Sequence, residues 1–233
     1  LVTRLLPAKA SFFGGRPDPT KHRLESLGTL MKMSPTPSPK LWLGEEHQIA
    51  AKELLPSEGP ILALGPMANW IGKQWEGRRF AELANRLIGP SGPLKGAHVA
   101  ILGGKNDSEQ SRVVSKLIPQ GRCIDLVGKL ELLTASAVLR RCHFFIGNDS
   151  GLMHIAAASG VPTLGLFGPS REAHYAPWGN HTAVVRTKLS YEELVGGSDY
   201  NPVTTRSLMA SLSVEAAEEA AVKLWNRAYG VKP

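Results

Sequence analysis

The chain has 233 residues, 42% of them hydrophobic and 20% charged, which allows one large domain or a domain and a half and excludes a disordered or fibrous protein. Two cysteines, Cys123 and Cys142, exclude a disulfide framework or a cysteine-based zinc site and favour a reducing compartment, and no run approaches the ~18 apolar residues of a membrane span. The net charge is +7, with the excess in residues 61–130 (ten basic, five acidic), which suits phosphate, nucleic acid or an anionic membrane face.

Nucleic acid is set aside, because no RNP, zinc-finger or helix-turn-helix pattern occurs and aromatics make up only 6%. The opening Leu1-Val2-Thr3-Arg4-Leu5-Leu6-Pro7 is too short and too early broken for a signal-peptide core. Residues 1–21 read as irregular, and His22 to Met33 as a short helix. Ser34-Pro35-Thr36-Pro37-Ser38-Pro39 reads as a stiff, extended linker, since every second residue has its φ fixed. Pro56 and Gly59-Pro60 reinforce a boundary between 34 and 60. Apolar runs then alternate with helical patterns. Strands are predicted at Ile61–Leu64, Val99–Leu102, Cys123–Val127, Phe144–Ile146 and Thr163–Phe167, with Val184-Val185 as an edge strand. Helices are predicted at Arg78–Leu87, Ser108–Ile118, Leu132–Arg141, Gly151–Ala158 and Val214–Tyr229, the last with Ser213 as N-cap. Continuous rather than alternating apolar strands, spaced by helices, predict an α/β fold: a parallel sheet with helices on both faces.

Ligands of such sheets bind beyond the carboxyl ends of the strands. The exits are Gly65 to Trp75, Gly103 to Glu109, Gly128-Lys129-Leu130, Gly147 to His154 and Gly168 to Arg171. Asn148-Asp149-Ser150-Gly151 opens a helix, whose unpaired N–H groups and positive dipole end form an anion site suited to phosphate. Asp149, itself an anion, can cap that helix, accept from Lys or Arg, or accept from ligand hydroxyls. An Asp/Ser cap without any ligand explains the same pattern. His154 falls near the same mouth or in the layer behind it. Lys73, between Gly72 and Gln74-Trp75, is a candidate phosphate cation or a plain solvated lysine. Arg78, Arg79, Lys105 and Lys129 compete for that role, the first two expected on a helix face turned to solvent. Asp107 and Glu109 can accept from ribose hydroxyls or simply acidify a first helical turn. No P-loop, Gly-x-Gly-x-x-Gly, zincin or Gly-x-Ser-x-Gly pattern occurs.

In this order the loops resemble the carboxyl-terminal half of glycosyltransferase family 9, the ADP-heptose:lipopolysaccharide heptosyltransferases. The resemblance runs through Pro66-Met67-Ala68-Asn69-Trp70-Ile71-Gly72-Lys73-Gln74-Trp75, Arg79-Phe80-Ala81-Glu82-Leu83, Gly147 to Ala157 and Leu166-Phe167-Gly168-Pro169-Ser170. It implies a GT-B fold of two Rossmann-like domains, of which 1–56 would be the amino-terminal domain's tail and linker, 57–212 the nucleotide-sugar domain and 213–233 a carboxyl-terminal helix. It implies inverting, metal-independent transfer of heptose from an ADP-sugar to the lipopolysaccharide core, with no cofactor, in the cytoplasm or peripherally on the inner membrane's cytoplasmic face. By position, Lys73 would contact diphosphate and sugar, Asp149 sugar hydroxyls, and the amides of Ser150, Gly151 and Leu152 phosphate. His154 would sit near that sugar end, and Leu130 and its neighbours would line the adenine pocket. The ribose acid would be Asp107 or Glu109. Ala68-Asn69 departs from the hydroxyl pair of first-heptose enzymes, so Asn69 bears on which sugar the donor carries. The general base is expected in the amino-terminal domain, not in these residues. A UDP-sugar epimerase of the same fold and a noncatalytic nucleotide-binding module are the competing readings.

Overall fold

The computed structural model describes residues 20–105, 108–197, 200–203 and 205–230. The expected helix after His22 forms as α1 (Arg23–Leu30), and the Ser/Pro run that follows holds no helix or strand. α2 (Glu45–Leu54) precedes β1 (Ile61–Gly65), and α3 (Gly77–Ile88) leads to β2 (His98–Ile101). α4 (Ser108–Leu117), β3 (Cys123–Asp125), α5 (Leu132–Arg140) and β4 (Phe144–Asn148) follow. Next come α6 (Gly151–Ser159), β5 (Thr163–Phe167), the short α7 (Glu172–Tyr175) and β6 (Thr182–Arg186). α8 (Tyr191–Val195) and α9 (Val214–Tyr229) complete the order.

All pairings are parallel, in the order β3-β2-β1-β4-β5-β6. The chain starts at the centre, runs to one edge, then returns and fills the other side. The reversal lies between β1 and β4, the place where a parallel sheet opens a crevice for ligands. Every residue of β1, β4 and β5 is buried, because helices cover both faces. Leu62, Leu64, Phe144, Ile146, Leu164 and Leu166 point to one layer, with Phe80 and Leu83 of α3 and Val114 of α4. Ile61, Ala63, Phe145 and Phe167 point to the other, with Val138 of α5 and Met153 and Ala156 of α6.

α9 packs against α3 and β6. Its buried residues Val214, Ala217, Ala221 and Leu224 recur every three or four positions, one face of a helix. Ser213 caps it, its Oγ accepting from Ala216 N at 3.2 Å. Arg86 of α3 binds Glu218 and Glu215 of α9 and Glu82 of its own helix. α2, inside the segment that the family resemblance makes tail and linker, lies on α5 with Ala51 fully buried. No helix among the described residues is long and apolar enough to cross a membrane.

Candidate functional site

The crevice is built first by backbone. Gly65 and Gly147 pair across β1 and β4, and both are filled against by Phe145. A Cβ on Gly147 would lie 2.7 Å from Phe145 Cζ and 3.0 Å from Gly65 O, so only glycine permits this approach. Asn148, at the end of β4, is fully buried and clamps the loop that leaves β1. Its Oδ1 accepts from Trp75 N at 3.1 Å and its Nδ2 donates to Pro66 O at 2.8 Å. The loop is held from its far side by Trp75 Nε1 donating to Leu212 O at 3.0 Å, Leu208 N to Gly72 O at 3.0 Å, and Ser207 Oγ to Gln74 O at 2.6 Å.

These ties deliver Lys73, in a single helical turn at Ile71–Lys73, to Asp149. Nζ donates to Oδ2 at 2.5 Å, with the lysine side chain 26% exposed and the carboxylate 5% exposed. Of the three roles open to Asp149 in the sequence, the structure therefore makes it the acceptor of a lysine. Ser150 occupies the N-cap of α6 in extended backbone, and its hydroxyl makes no capping bond; the buried Oγ has no partner among the described residues. The expected Asp/Ser side-chain cap is thus not formed. Among the described residues the amides of Ser150, Gly151 and Leu152 make no hydrogen bond, and a Cβ on Gly151 would meet open space. The unpaired donors of a helix start carry about half a positive charge.

His154, one turn into α6, completes the group. Its Nε2 lies 4.0 Å from Asp149 Oδ1, and its side chain is 42% exposed. Burial pushes its pKa below the ordinary histidine value; Asp149 pulls it up, while His22 and Lys73 push it further down. Tyr175 of α7 closes the side of the crevice, its ring centroid 5.8 Å from Lys73 Nζ.

Lys73, Asp149, Ser150, Gly151, Leu152 and His154 are thus brought together at the β1/β4 reversal. Leu130 follows the β3 exit and is half-buried against the α5 and α6 layer. The β3 exit is drawn towards the β2 exit by Gly128 N donating to Gly103 O at 3.0 Å. Gly128 has φ +72°, and a Cβ there would sit 3.1 Å from Lys105 Cα. Asn69 is exposed on the loop before Lys73. Asp107 and the side chain of Glu109 lie outside the described residues. Of the competing cations, Arg78 is exposed. Arg79, expected on a solvent face, instead donates to Ala210 O and Leu212 O, both at 2.7 Å, because the segment before α9 folds back over α3. Lys129 donates to Asp125 O at 2.7 Å. Asn148 and Tyr175 were not singled out by the sequence: the asparagine lies within the Gly147 to His154 exit, but nothing local marks the tyrosine. No group of three or more His, Cys, Asp or Glu is placed to hold a metal ion among the described residues.

The strand order and the reversal crevice define a Rossmann-like α/β domain. The profile of glycosyltransferase family 9 (heptosyltransferase) matches residues 26–203, and the chain belongs to that family. It is 29% identical over 180 residues to lipopolysaccharide heptosyltransferase 2 of Salmonella typhimurium, covering 73% of this chain and 50% of that protein. With lipooligosaccharide heptosyltransferase 2 of Haemophilus influenzae it shares 32% over 133 residues, 55% of this chain and 37% of that one. The fold matches a family 9 glycosyltransferase of Veillonella parvula with a TM-score of 0.75 at 24% identity, over 91% of this chain and 62% of that one. It matches the ADP-heptose lipopolysaccharide heptosyltransferase II of Escherichia coli at 0.67 and 24%, over 84% and 56%. The chain spans about half the length of the curated relatives it matches.

Proposed function

We propose that this chain is the donor-binding half of a heptosyltransferase that moves heptose from an ADP-sugar to a lipopolysaccharide core acceptor, with inversion and without a metal. The observation that carries the proposal is the Lys73–Asp149 pair at 2.5 Å beside the unpaired amides of α6. One cation, one carboxylate and a helix start at a single crevice suit a phosphate and a polyhydroxylated sugar at once. The strand order supports the same reading. From the β3 exit to the β4 exit are three strand spacings, about 14 Å, the scale of an extended nucleoside diphosphate. Adenine would lie near Leu130, ribose near Asp107 or Glu109, and the diphosphate at Lys73.

In this assignment the amides of Ser150, Gly151 and Leu152 hold phosphate, while Asp149, and Asn69 and His154 around it, face the sugar. An acceptor oxygen attacks the anomeric carbon as its bond to the diphosphate breaks, and negative charge grows on the departing phosphate oxygens. Lys73 and the α6 amides are fixed in advance where that charge develops, which is the most effective kind of electrostatic assistance. The base that deprotonates the acceptor is assigned to the amino-terminal domain of the GT-B pair. Residues 1–56 would be that domain's tail and linker, 57–212 the nucleotide-sugar domain and 213–233 its closing helix. The relatives' names support a lipopolysaccharide acceptor and hence work in the cytoplasm or at the inner face of the membrane. One neighbour of known structure, a heptosyltransferase of Escherichia coli, was solved both with ADP and with ADP-2-deoxy-2-fluoro heptose.

Calorimetry with ADP, UDP and GDP tests the donor class, and Lys73→Ala tests the cation. ADP is expected to bind tightest, and the variant to lose affinity for ADP far more than for adenosine, with the loss shrinking as salt rises. UDP binding as tightly as ADP, or a Lys73→Ala variant that keeps the parent's affinity at low salt, would overturn the assignment.

A further inference from the structure

α1 precedes the sheet in the chain, yet its first turn is fixed on the loop that follows β5. His22 is the link. Its Nδ1 accepts from Leu24 N at 3.1 Å, capping the helix, so the ring proton sits on Nε2 and is donated to Ala176 O at 2.9 Å. The imidazole also lies 4.8 Å from the Trp178 ring. This anchor does not involve the next residue, Arg23, whose exposed guanidinium carbon is 5.6 Å from the Tyr175 ring centroid. Lys73 Nζ approaches the same ring at 5.8 Å. One aromatic side chain therefore gathers two cations at the mouth of the crevice.

The charges there are unequal to a diphosphate. Lys73 is compensated by Asp149, and the α6 start contributes only about half a unit. The other arginines around α7 are spent: Arg171 pairs with Glu192 at 2.9 Å and Arg186 with Glu172. Arg23 has no carboxylate partner among the described residues. A guanidinium held at an aromatic ring keeps in-plane N–H donors free for phosphate oxygens. We propose that Arg23, steadied by Tyr175 and by the His22 anchor, is a second phosphate-binding cation of the crevice and engages the diphosphate of the nucleotide sugar. This rests on the donor reading of the site.

The test is calorimetry on the full chain with ADP and with adenosine, at low and high salt, for the parent, Arg23→Gln, Arg23→Glu and Lys73→Ala. Lys223→Gln on α9 controls for net charge. Arg23→Gln is expected to weaken ADP about five- to tenfold at low salt. Adenosine binding and the Lys223→Gln variant should be unchanged, and Arg23→Glu should lose more than Arg23→Gln. ADP carries no acceptor phosphate, so a loss with ADP assigns the contact to the donor. Unchanged ADP affinity in both Arg23 variants, with the loss still present in Lys73→Ala, overturns the assignment of Arg23 and leaves the donor reading standing. Equal losses for ADP and adenosine overturn it as well, making Arg23 a support of the crevice wall. A parent that binds ADP no more tightly than adenosine overturns both readings.

Discussion

Asp149→Asn removes one charge from the centre of the site and leaves its shape. The carboxylate is 5% exposed, with Oδ2 on Lys73 Nζ at 2.5 Å and Oδ1 4.0 Å from His154 Nε2. An amide oxygen still accepts from Lys73, and the lysine keeps a quarter of its surface in water, so the variant should fold. A stability loss of about 1–2 kcal/mol is expected, below the ~3–5 kcal/mol of breaking a fully buried pair. The ligand terms have opposite signs. Sugar hydroxyls lose a charged acceptor worth about 1.5–3 kcal/mol, so affinity for ADP-heptose should fall roughly tenfold or more relative to that for ADP. ADP lacks the heptose and its hydroxyls, and its phosphates are repelled by the carboxylate: at about 6 Å and an effective dielectric of ~20, by about 2–3 kcal/mol per unit charge. ADP should therefore bind the variant as well as the parent, or more tightly. Titration calorimetry with both ligands at low salt, beside urea denaturation, reads all three quantities. Equal weakening of ADP and ADP-heptose would refute the role given to Asp149 and reduce it to a support for the Lys73 loop.

His154 should titrate below ~6.5 in a carbon-detected NMR titration, because burial disfavours its charged form. With fewer protons bound when folded than unfolded, it contributes stability above that pH that is lost as the pH falls through it. Asp149→Asn should lower its pKa further and Lys73→Ala raise it; a value unmoved by either would show that the three side chains are not coupled. Trp75→Ala deletes a fully buried ring and its bond to Leu212 O, at an expected cost of about 3–5 kcal/mol. A loss under ~1 kcal/mol in urea would mean that this ring does not anchor the Lys73 loop. Gly147→Ala sets a Cβ against Phe145 and Gly65 O and should cost about 1–3 kcal/mol; a neutral result by the same measurement would contradict the β1/β4 approach.

Elements with strong local signals were legible in the sequence. Thr163–Phe167 and Val214–Tyr229 form over the same residues as expected, the first because a short apolar run is bounded by breakers, the second because Ser213 and a regular apolar stripe mark its register. β4 extends two residues past its expected end, since Gly147 and Asn148 pair with β5 although neither favours a strand alone. α2 carried no expectation: only Ala51 of its length is fully buried, so its pattern is mostly polar, and its packing on α5 holds it. The sequence pointed to Lys73 and Asp149 one strand exit at a time, but their contact, 76 positions apart in the chain, depends on the strand order. Arg79 and Tyr175 were opaque for the same reason. Their partners come from segments distant in sequence, and no periodicity encodes such meetings.

The central claim, that the β1/β4 crevice takes the diphosphate of an adenine nucleotide, is tested most directly at the start of α6. Backbone amide NMR shifts should be followed while ADP, then adenosine, is added in the presence of a chelator. ADP is expected to move the amides of Ser150, Gly151 and Leu152 strongly, adenosine to leave them nearly still, and α9 to respond to neither. Amides at Ser150 to Leu152 that do not respond to ADP, or that respond only after Mg²⁺ is supplied, would contradict it.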